Sequence, residues 1–363
     1  MSGIDPTSNP IHELWNRLTG PANNSNPSAA EAAATPKTPA ERDVAYQDAL
    51  DRLPQTATAA PVTLGNGNTA RALLDAYQAS TKGPYQVDGK TVLAPAQFRM
   101  TEGFNRDAAF GKSTGARAVQ ARLNDVAAKA GLTEQVQDLR YGRGTPEGLV
   151  RVTQALIDAD KVSFKPNEDP AAGIQALQWK YGIGMDCAGY VYGAIAAVHG
   201  NPTALGLKSH GNEDFRGLPQ NPRFTSVDPT VARAGDVMVL AGNGTNGNPG
   251  HNLMVYSHTL MTDAGAATLH GQWPKNAAAD EFFGAADANG VTDTIHKYEV
   301  DTSFSAGADG TAQGGVRRDT LLYNERSGAW AMLRSTTPPT FDKRAVPYNE
   351  PALTGIFRPT VVR

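Results

Sequence analysis

The sequence predicts an α+β fold in which helices come first and an antiparallel sheet follows. Apolar residues recur at helical spacing over residues 38–165, and a further helix begins near Cys187. After that helix, short apolar runs alternate with Gly, Asn and Pro clusters, as in a sheet of short strands. Helices followed by strands are typical of the α+β class. The 363 residues suffice for two domains or for one domain with a long extension.

Residues 1–37 are predicted to be a flexible N-terminal segment and linker. Residues 20–37 are rich in Pro, Ala, Asn and Ser and contain no large apolar residue. Such a segment cannot bury enough surface to offset the entropy of ordering it. The short stretch 11–18, which includes Trp15, is expected to be a small helix that packs elsewhere.

Residues 38–165 are predicted to form a helical accessory domain. Residues 38–41 (Thr-Pro-Ala-Glu) form a capping box that starts one helix. Apolar stripes with start and stop signals indicate three more helices, one from Thr69, one from Val119 to Gly131 and one from Thr145. These stripes indicate core packing and carry no site chemistry.

Residues 166–363 are predicted to form the second domain, with one helix and then strands. The predicted strands are 237–240, 251–257, 266–272, 317–323 and 329–333. The acidic residues at 280–281 and 299–301 are expected to lie on solvated faces.

Composition excludes several classes of protein. The 33 Lys and Arg residues against 36 Asp and Glu residues give a net charge of −3, without a basic cluster for nucleic acid or an anionic membrane. No apolar stretch approaches the ~20 residues of a membrane span. The amino terminus lacks the basic and apolar regions of a secretory signal. We therefore expect synthesis in the cytoplasm without a cleaved signal peptide.

Cofactor and metal signals are also missing. The single cysteine excludes an intramolecular disulfide and a Cys-rich zinc site. His251 and His258 are seven residues apart without a Cys or carboxylate at ligand spacing, so we expect no metal. Residues 242–247 match G-x-G-x-x-G, but they precede a strand instead of opening a helix, so no dinucleotide cofactor is expected.

Cys187 is the candidate nucleophile. It lies in the first turn of a predicted amphipathic helix, four residues before Val191 on the buried face. The positive potential at a helix N-terminus favours a thiolate over a thiol. A lone cysteine is more often a small buried hydrophobic residue, so the strands must supply further support.

Two histidines on predicted strands supply that support. His251, Leu253 and Val255 share one face of a strand, which we expect to be the face turned towards the helix. An imidazole there can approach the thiol and activate it. His270, on the next predicted strand, could orient the first ring as a third member.

Four strings in this order resemble signatures of the NlpC-type papain-like cysteine peptidases. Residues 186–190 (Asp-Cys-Ala-Gly-Tyr) resemble the family's Asp-Cys-Ser-Gly-Phe, and residues 233–237 resemble its Gly-Asp-hydrophobic strand start. Residues 250–256 (Gly-His-Asn-Leu-Met-Val-Tyr) resemble its Gly/Ser-His-Val-Gly-Ile-Tyr strand. Residues 269–271 resemble its third catalytic position, and the four strings cover roughly residues 178–275.

The resemblance implies a papain-like domain with a cysteine at the start of a helix packed on an antiparallel sheet that carries a histidine. It implies Cys187, His251 and His270 as catalytic residues, with Tyr181 and Asp186 in the oxyanion and substrate-binding region. Family members cleave amide bonds in peptidoglycan stem peptides, so a peptidoglycan peptide is the implied substrate.

This sequence departs from the family strings at two positions beside the candidate residues. Ala188 replaces the usual Ser, and Asn252 replaces the usual small apolar residue. The hairpin between His251 and His270 is also longer than in the family.

These features together suggest a secreted antibacterial effector or toxin. A specialised secretion machine would deliver it to the periplasm of a target cell, and an immunity protein would be its natural partner. Two other functions remain open. The same Cys-His frame could serve a protein-directed acyltransferase, deamidase or transglutaminase, or Cys187 could be a core residue of a non-catalytic binding module.

Overall fold

The computed structural model describes residues 67–99, 114–207, 212–240, 250–272, 277–284, 293–304, 314–333, 341–342 and 353–360. The predicted segment and linker 1–37 and the capping box 38–41 lie outside the described residues. The described residues belong to one compact unit, which extends over residues 64–363. The boundary predicted between residues 165 and 166 falls inside this unit.

The structure mixes helices with antiparallel sheets, as the α+β prediction requires. The helices are α1 (Gly67–Ser80), α2 (Thr114–Lys129), α3 (Thr133–Arg140), α4 (Pro146–Asp160), α5 (Pro170–Tyr181), α6 (Cys187–His199), α7 (Asn212–Arg216), α8 (Asp263–His270) and α9 (Ala277–Phe283). The helices predicted at Thr69, Val119 and Thr145 are confirmed as α1, α2 and α4. At α4 the Thr145 side chain accepts a hydrogen bond from the Gly148 amide, as an N-cap does.

A hairpin that the sequence did not predict interrupts the helical region. It consists of β1 (Lys82–Val87) and β2 (Lys90–Pro95), which pair antiparallel. Asp88 and Gly89 connect them, both with positive φ, which matches the Asp-Gly turn of a two-residue hairpin.

The other described strands form one eight-stranded antiparallel sheet. They are β3 (Phe224–Val227), β4 (Val237–Leu240), β5 (His251–Leu260), β6 (Ile295–Phe304), β7 (Gly315–Asn324), β8 (Trp330–Leu333), β9 (Phe341–Asp342) and β10 (Leu353–Pro359). Their order in the sheet is β3-β10-β4-β5-β6-β7-β8-β9. β10 therefore lies between β3 and β4, and β5 is an inner strand.

The strand predicted at 266–272 is wrong, because the structure has helix α8 there. The Thr262 side chain accepts a hydrogen bond from the Gly265 amide, and Asp263 lies in the first turn. Both features start a helix, and the alanines that follow favour its continuation. The strands predicted at 237–240, 251–257, 317–323 and 329–333 are confirmed as β4, β5, β7 and β8.

The two faces of the sheet pack into different cores. The helix-side core joins residues of helices α1 to α6 with Val237 and Val239 of β4 and Met254 of β5. The far-side core lies on the other face and includes Leu240, Leu253, Val255, Tyr298 and Val300. Alternate residues of a strand point to opposite faces, so membership of these cores fixes the direction of each neighbouring side chain.

Within the described ranges, no helix combines the length and apolar content needed to cross a bilayer. The same residues contain no group of three or more His, Cys, Asp or Glu side chains that could hold a metal ion.

Candidate functional site

Cys187 is the first residue of α6, as the sequence predicts. The Asp186 carboxylate accepts a hydrogen bond of 2.6 Å from the Gly189 amide, which caps the helix. The Asp186 amide donates to the Gly142 carbonyl at 2.8 Å. Asp186 thus has an observed structural task at the start of this helix.

Met185 connects this helix start to the rest of the molecule. Its amide donates to the Gln97 carbonyl at 2.9 Å, and its carbonyl accepts from the Arg99 amide at 3.0 Å. The Ser303 hydroxyl of β6 donates to the same carbonyl at 2.7 Å. The segment before Cys187 is therefore held by the chain near residues 97–99 and by the sheet.

Gly189 permits a close approach of two chain segments. A Cβ atom at this position would lie 2.2 Å from the Gly142 carbonyl oxygen and 3.1 Å from the Arg143 Cα. Both neighbours are backbone atoms, which cannot yield as a flexible side chain can. Packing thus requires a glycine at position 189, whatever its place in a family signature.

The Cys187 thiol is uncharged at neutral pH. Its side chain is buried, and burial together with the negative charge of Asp186 raises the pKa of the thiol to about 12. The backbone amides of Asn252, Ala188 and Cys187 act in the opposite direction but are outweighed. Burial also raises the pKa of Asp186 to about 7, against its hydrogen bond from Gly189.

Asn252 is the β5 side chain that faces the thiol. Its Nδ2 atom lies 4.0 Å from the Cys187 Sγ atom. Asn252 pairs with Val239 across β4 and β5, and Val239 and Met254 belong to the helix-side core. Strand alternation therefore places Asn252 on the face that α6 covers.

The face predicted for His251 is wrong. His251 pairs with Leu240, and Leu240 and Leu253 both belong to the far-side core. The His251 Nε2 atom lies 3.1 Å from the Thr302 Oγ1 atom on β6. Burial, followed by the charge of Arg317, lowers the pKa of His251 to about 3, so the imidazole is neutral.

His270 lies at the end of α8 and not on a strand beside His251. Its Nε2 atom lies 2.7 Å from the Asp280 Oδ1 atom, and its ring stacks on Phe283 with centroids 5.0 Å apart. The structure thus places the third predicted catalytic residue on α8 and against α9, in contacts that involve neither Cys187 nor His251.

Tyr181, the predicted oxyanion residue, is the last residue of α5. Its hydroxyl donates to the Asp160 carboxylate at the end of α4. Burial and that carboxylate raise the pKa of Tyr181 to about 12. The observed contact of this hydroxyl therefore connects two helices.

Sequence reasoning missed Asn252 as a member of the site, although a signal was present. In the family string, the histidine lies four residues before the tyrosine. In this chain Asn252 lies four residues before Tyr256, whereas His251 lies five residues before it. Spacing from Tyr256 thus identifies Asn252 as the residue that faces the helix, and the structure agrees.

The site combines a neutral thiol at a helix N-terminus with a carboxamide on the adjacent strand. Together these groups offer a nucleophilic atom and hydrogen-bond donors for an oxygen that gains negative charge. The chain matches no protein-family model, and comparison with curated proteins and with solved structures finds no match.

Proposed function

We propose that the protein is a cysteine hydrolase of the papain-like, NlpC type, with Cys187 as its nucleophile. The observation that carries the proposal is the position of Cys187, which is the first residue of α6 and lies beside Asn252 of the sheet. A buried sulfur at a helix N-terminus can attack a carbonyl carbon while the local backbone amides stabilise the oxyanion. The resemblance supplies the substrate class, which is the amide bonds of peptidoglycan stem peptides.

In the proposed reaction, the sulfur attacks the amide carbonyl carbon and loses its proton to a base. The base returns the proton to the leaving amine, and water then releases the acyl group from the sulfur. The resemblance assigns the base role to His251. The far-side position of its ring makes His251→Ala an essential variant beside those of Cys187.

Digestion of purified peptidoglycan tests the proposal, with the soluble products separated and weighed by mass spectrometry. We expect new muropeptides from the wild type and none from Cys187→Ala or Cys187→Ser. Loss of activity in folded His251→Ala would assign the histidine to proton transfer, whereas retained activity would assign that step to another group. Intact peptidoglycan with every protein would contradict the proposed substrate.

A non-catalytic binding module is the second candidate, and the electrostatics of the site favour it. The thiol pKa of about 12 and the His251 pKa of about 3 both oppose a thiolate–imidazolium pair at rest. The rate of alkylation by iodoacetamide separates the candidates, because an activated thiolate reacts quickly at neutral pH. Slow alkylation without muropeptide products would support the binding module.

A third outcome concerns other acyl acceptors. Acyl-enzyme formation on a protein substrate without muropeptide cleavage would favour an acyltransferase, deamidase or transglutaminase. Delivery by a secretion machine and an immunity-protein partner stay predictions from the sequence.

A further inference from the structure

We propose that the side-chain amide of Asn252 is the polarising hydrogen-bond donor of this site, acting on the sulfur at rest and on the substrate's carbonyl oxygen during attack. The inference rests on the proposed function for its second part only. It replaces Tyr181 in the oxyanion role that the resemblance implies.

Asn252 occupies the position that a donor to the reacting atoms requires. Asn252 is 2 % exposed, and its Nδ2 atom is directed at Sγ across a distance of 4.0 Å. When the sulfur bonds to a carbonyl carbon, the carbonyl oxygen lies beside the sulfur, within reach of a donor that already faces it. The backbone amide of Cys187 lies at the helix start and offers a second donor to the same oxygen.

The strand that carries Asn252 is held on both sides. Asn252 lies on inner strand β5 and pairs with Val239 of β4. On the other side, the Thr302 hydroxyl of β6 donates to the Asn252 carbonyl at 3.0 Å, and Thr302 is fully buried. A donor fixed in this way requires little reorganisation when charge develops, which is the condition for effective electrostatic stabilisation.

The chemical type of the Asn252 side chain also suits a donor. A carboxamide stays neutral at every pH of interest and still donates through its NH₂ group. It can therefore stabilise negative charge on sulfur or oxygen without competing for the thiol proton. The Tyr181 hydroxyl is directed at Asp160 in another part of the fold, so its observed contact does not serve this role.

Three variants isolate the donor. Asn252→Ala and Asn252→Ser remove similar volume, but only serine keeps a donor. Asn252→Asp keeps the shape and replaces the donor with an acceptor. Circular dichroism and thermal unfolding first establish which variants are folded, and the Ala–Ser pair carries the comparison if the buried aspartate prevents folding.

The first measurement is the pH profile of Cys187 alkylation by iodoacetamide, which needs no substrate. We expect Asn252→Ala to react about tenfold more slowly than Asn252→Ser at the same pH, because only serine can donate to a thiolate. Asn252→Asp is expected to react most slowly, since a carboxylate beside the sulfur opposes a second negative charge. A purely structural role for Asn252 predicts no difference that follows donor capacity.

The second measurement is the rate of muropeptide release. If the wild type is active, Asn252→Ala is expected to lower kcat by about 10²–10³-fold, with KM within about threefold. A kcat equal to that of the wild type would overturn the proposal.

The two measurements separate this inference from the proposed function. If the wild type releases no muropeptide, the alkylation profiles decide alone. The order Ser, Ala, Asp in decreasing rate would then support Asn252 as the donor to the sulfur while the hydrolase proposal fails. Profiles that coincide for the wild type and all folded variants would overturn the Asn252 assignment.

Discussion

Near the site, each face of strand β5 carries one polar and one apolar residue, but the two faces pack in different cores. One face carries Asn252 and Met254 and packs against α6, with Asn252 beside the thiol. The other carries His251 and Leu253 and packs in the far-side core, with His251 beside Thr302. One residue of register thus decides whether a histidine or an asparagine faces the nucleophile. Residue type alone does not identify the side chain that faces a thiol, because the face of the strand on which that side chain lies must be known as well.

The largest expected effect is a loss of stability on the helix-side face, where α6 lies against Gly142. Gly189→Ala places a Cβ atom 2.2 Å from the Gly142 carbonyl oxygen, so we expect a loss of about 3 kcal/mol or more in unfolding free energy. Gly271→Ala is the matched control, because this glycine has helical φ and ψ and its Cβ would meet nothing closer than 3.4 Å. Urea unfolding measures both. Equal stability of the two variants would show that the contact at Gly189 is not tight.

The pH dependence of the unfolding free energy tests whether His251 is buried as a neutral ring on the far-side face. Because burial lowers the pKa of His251 from its usual 6.5 to about 3, the unfolded chain binds a proton between these values and the folded chain does not. The stability contributed by neutral His251 is therefore present above pH 6.5 and is lost as the pH falls. We expect the difference in unfolding free energy between wild type and His251→Gln to shrink by about 1.4 kcal/mol per pH unit below pH 6.

Taking the difference removes the opposite trend from Asp186 and Asp138, whose raised pKa values favour the folded state as the pH falls. Urea unfolding between about pH 4.5 and 7.5 provides the data, because the imidazole of the unfolded chain gains its proton within this range. Parallel curves for the two proteins would contradict the burial of an uncharged imidazole.

A smaller effect is expected where the two faces share a partner. The Thr302 hydroxyl contacts the His251 ring and the Asn252 carbonyl. Thr302→Val keeps the shape and removes both contacts, so we expect a loss of about 1–2 kcal/mol in unfolding free energy. Thr225→Val, at an exposed position of β3, is the control and should stay within about 0.5 kcal/mol of the wild type. A Thr302 variant as stable as the control would show that these hydrogen bonds contribute little.

The smallest effect has the opposite sign. Tyr190 of α6 is fully buried in the helix-side core, and its hydroxyl has no hydrogen-bond partner in the part of the chain that the structure describes. Tyr190→Phe removes a desolvated hydroxyl, so we expect unchanged stability or a gain of up to about 1 kcal/mol. Thermal unfolding beside the wild type measures it, and a clear loss would reveal a hidden partner.

Helices and the start of the site could be predicted because their signals are local. Thr145 and Pro146 mark the start of α4, and Asp186 marks the start of α6 beside Cys187. The direction of His251 could not be predicted from alternation, since Leu253 and Met254 on the two faces are both apolar. Alternation therefore leaves open which face meets a helix, and the spacing from Tyr256 is the local signal that distinguishes the two faces.

Strand β6 shows a second limit of sequence patterns. The sequence predicts a solvated face for the acidic residues at 299–301, yet Asp301 is fully buried. Arg318 of β7 forms a salt bridge with it at 2.7 Å, which offsets the cost of burying the carboxylate. A charge that pairs with a partner on a neighbouring strand has no signature within its own segment. The prediction for His270 fails for a different reason, because local start signals at Thr262 and Asp263 favour helix α8 over the predicted strand.

The place of β10 in the sheet determines how late in synthesis its neighbours β3 and β4 can pair with it. Among the described strands β3 pairs with β10 alone, and β10 separates β3 from β4. β3 ends at Val227 and β10 begins at Leu353, so more than a hundred residues are made between the two partners. Closing so long a loop costs entropy before any contact forms. On the ribosome, β3 and the edge of β4 that β10 covers therefore stay unpaired until β10 has been made. During that interval these exposed strand edges make the nascent chain most susceptible to wrong pairing.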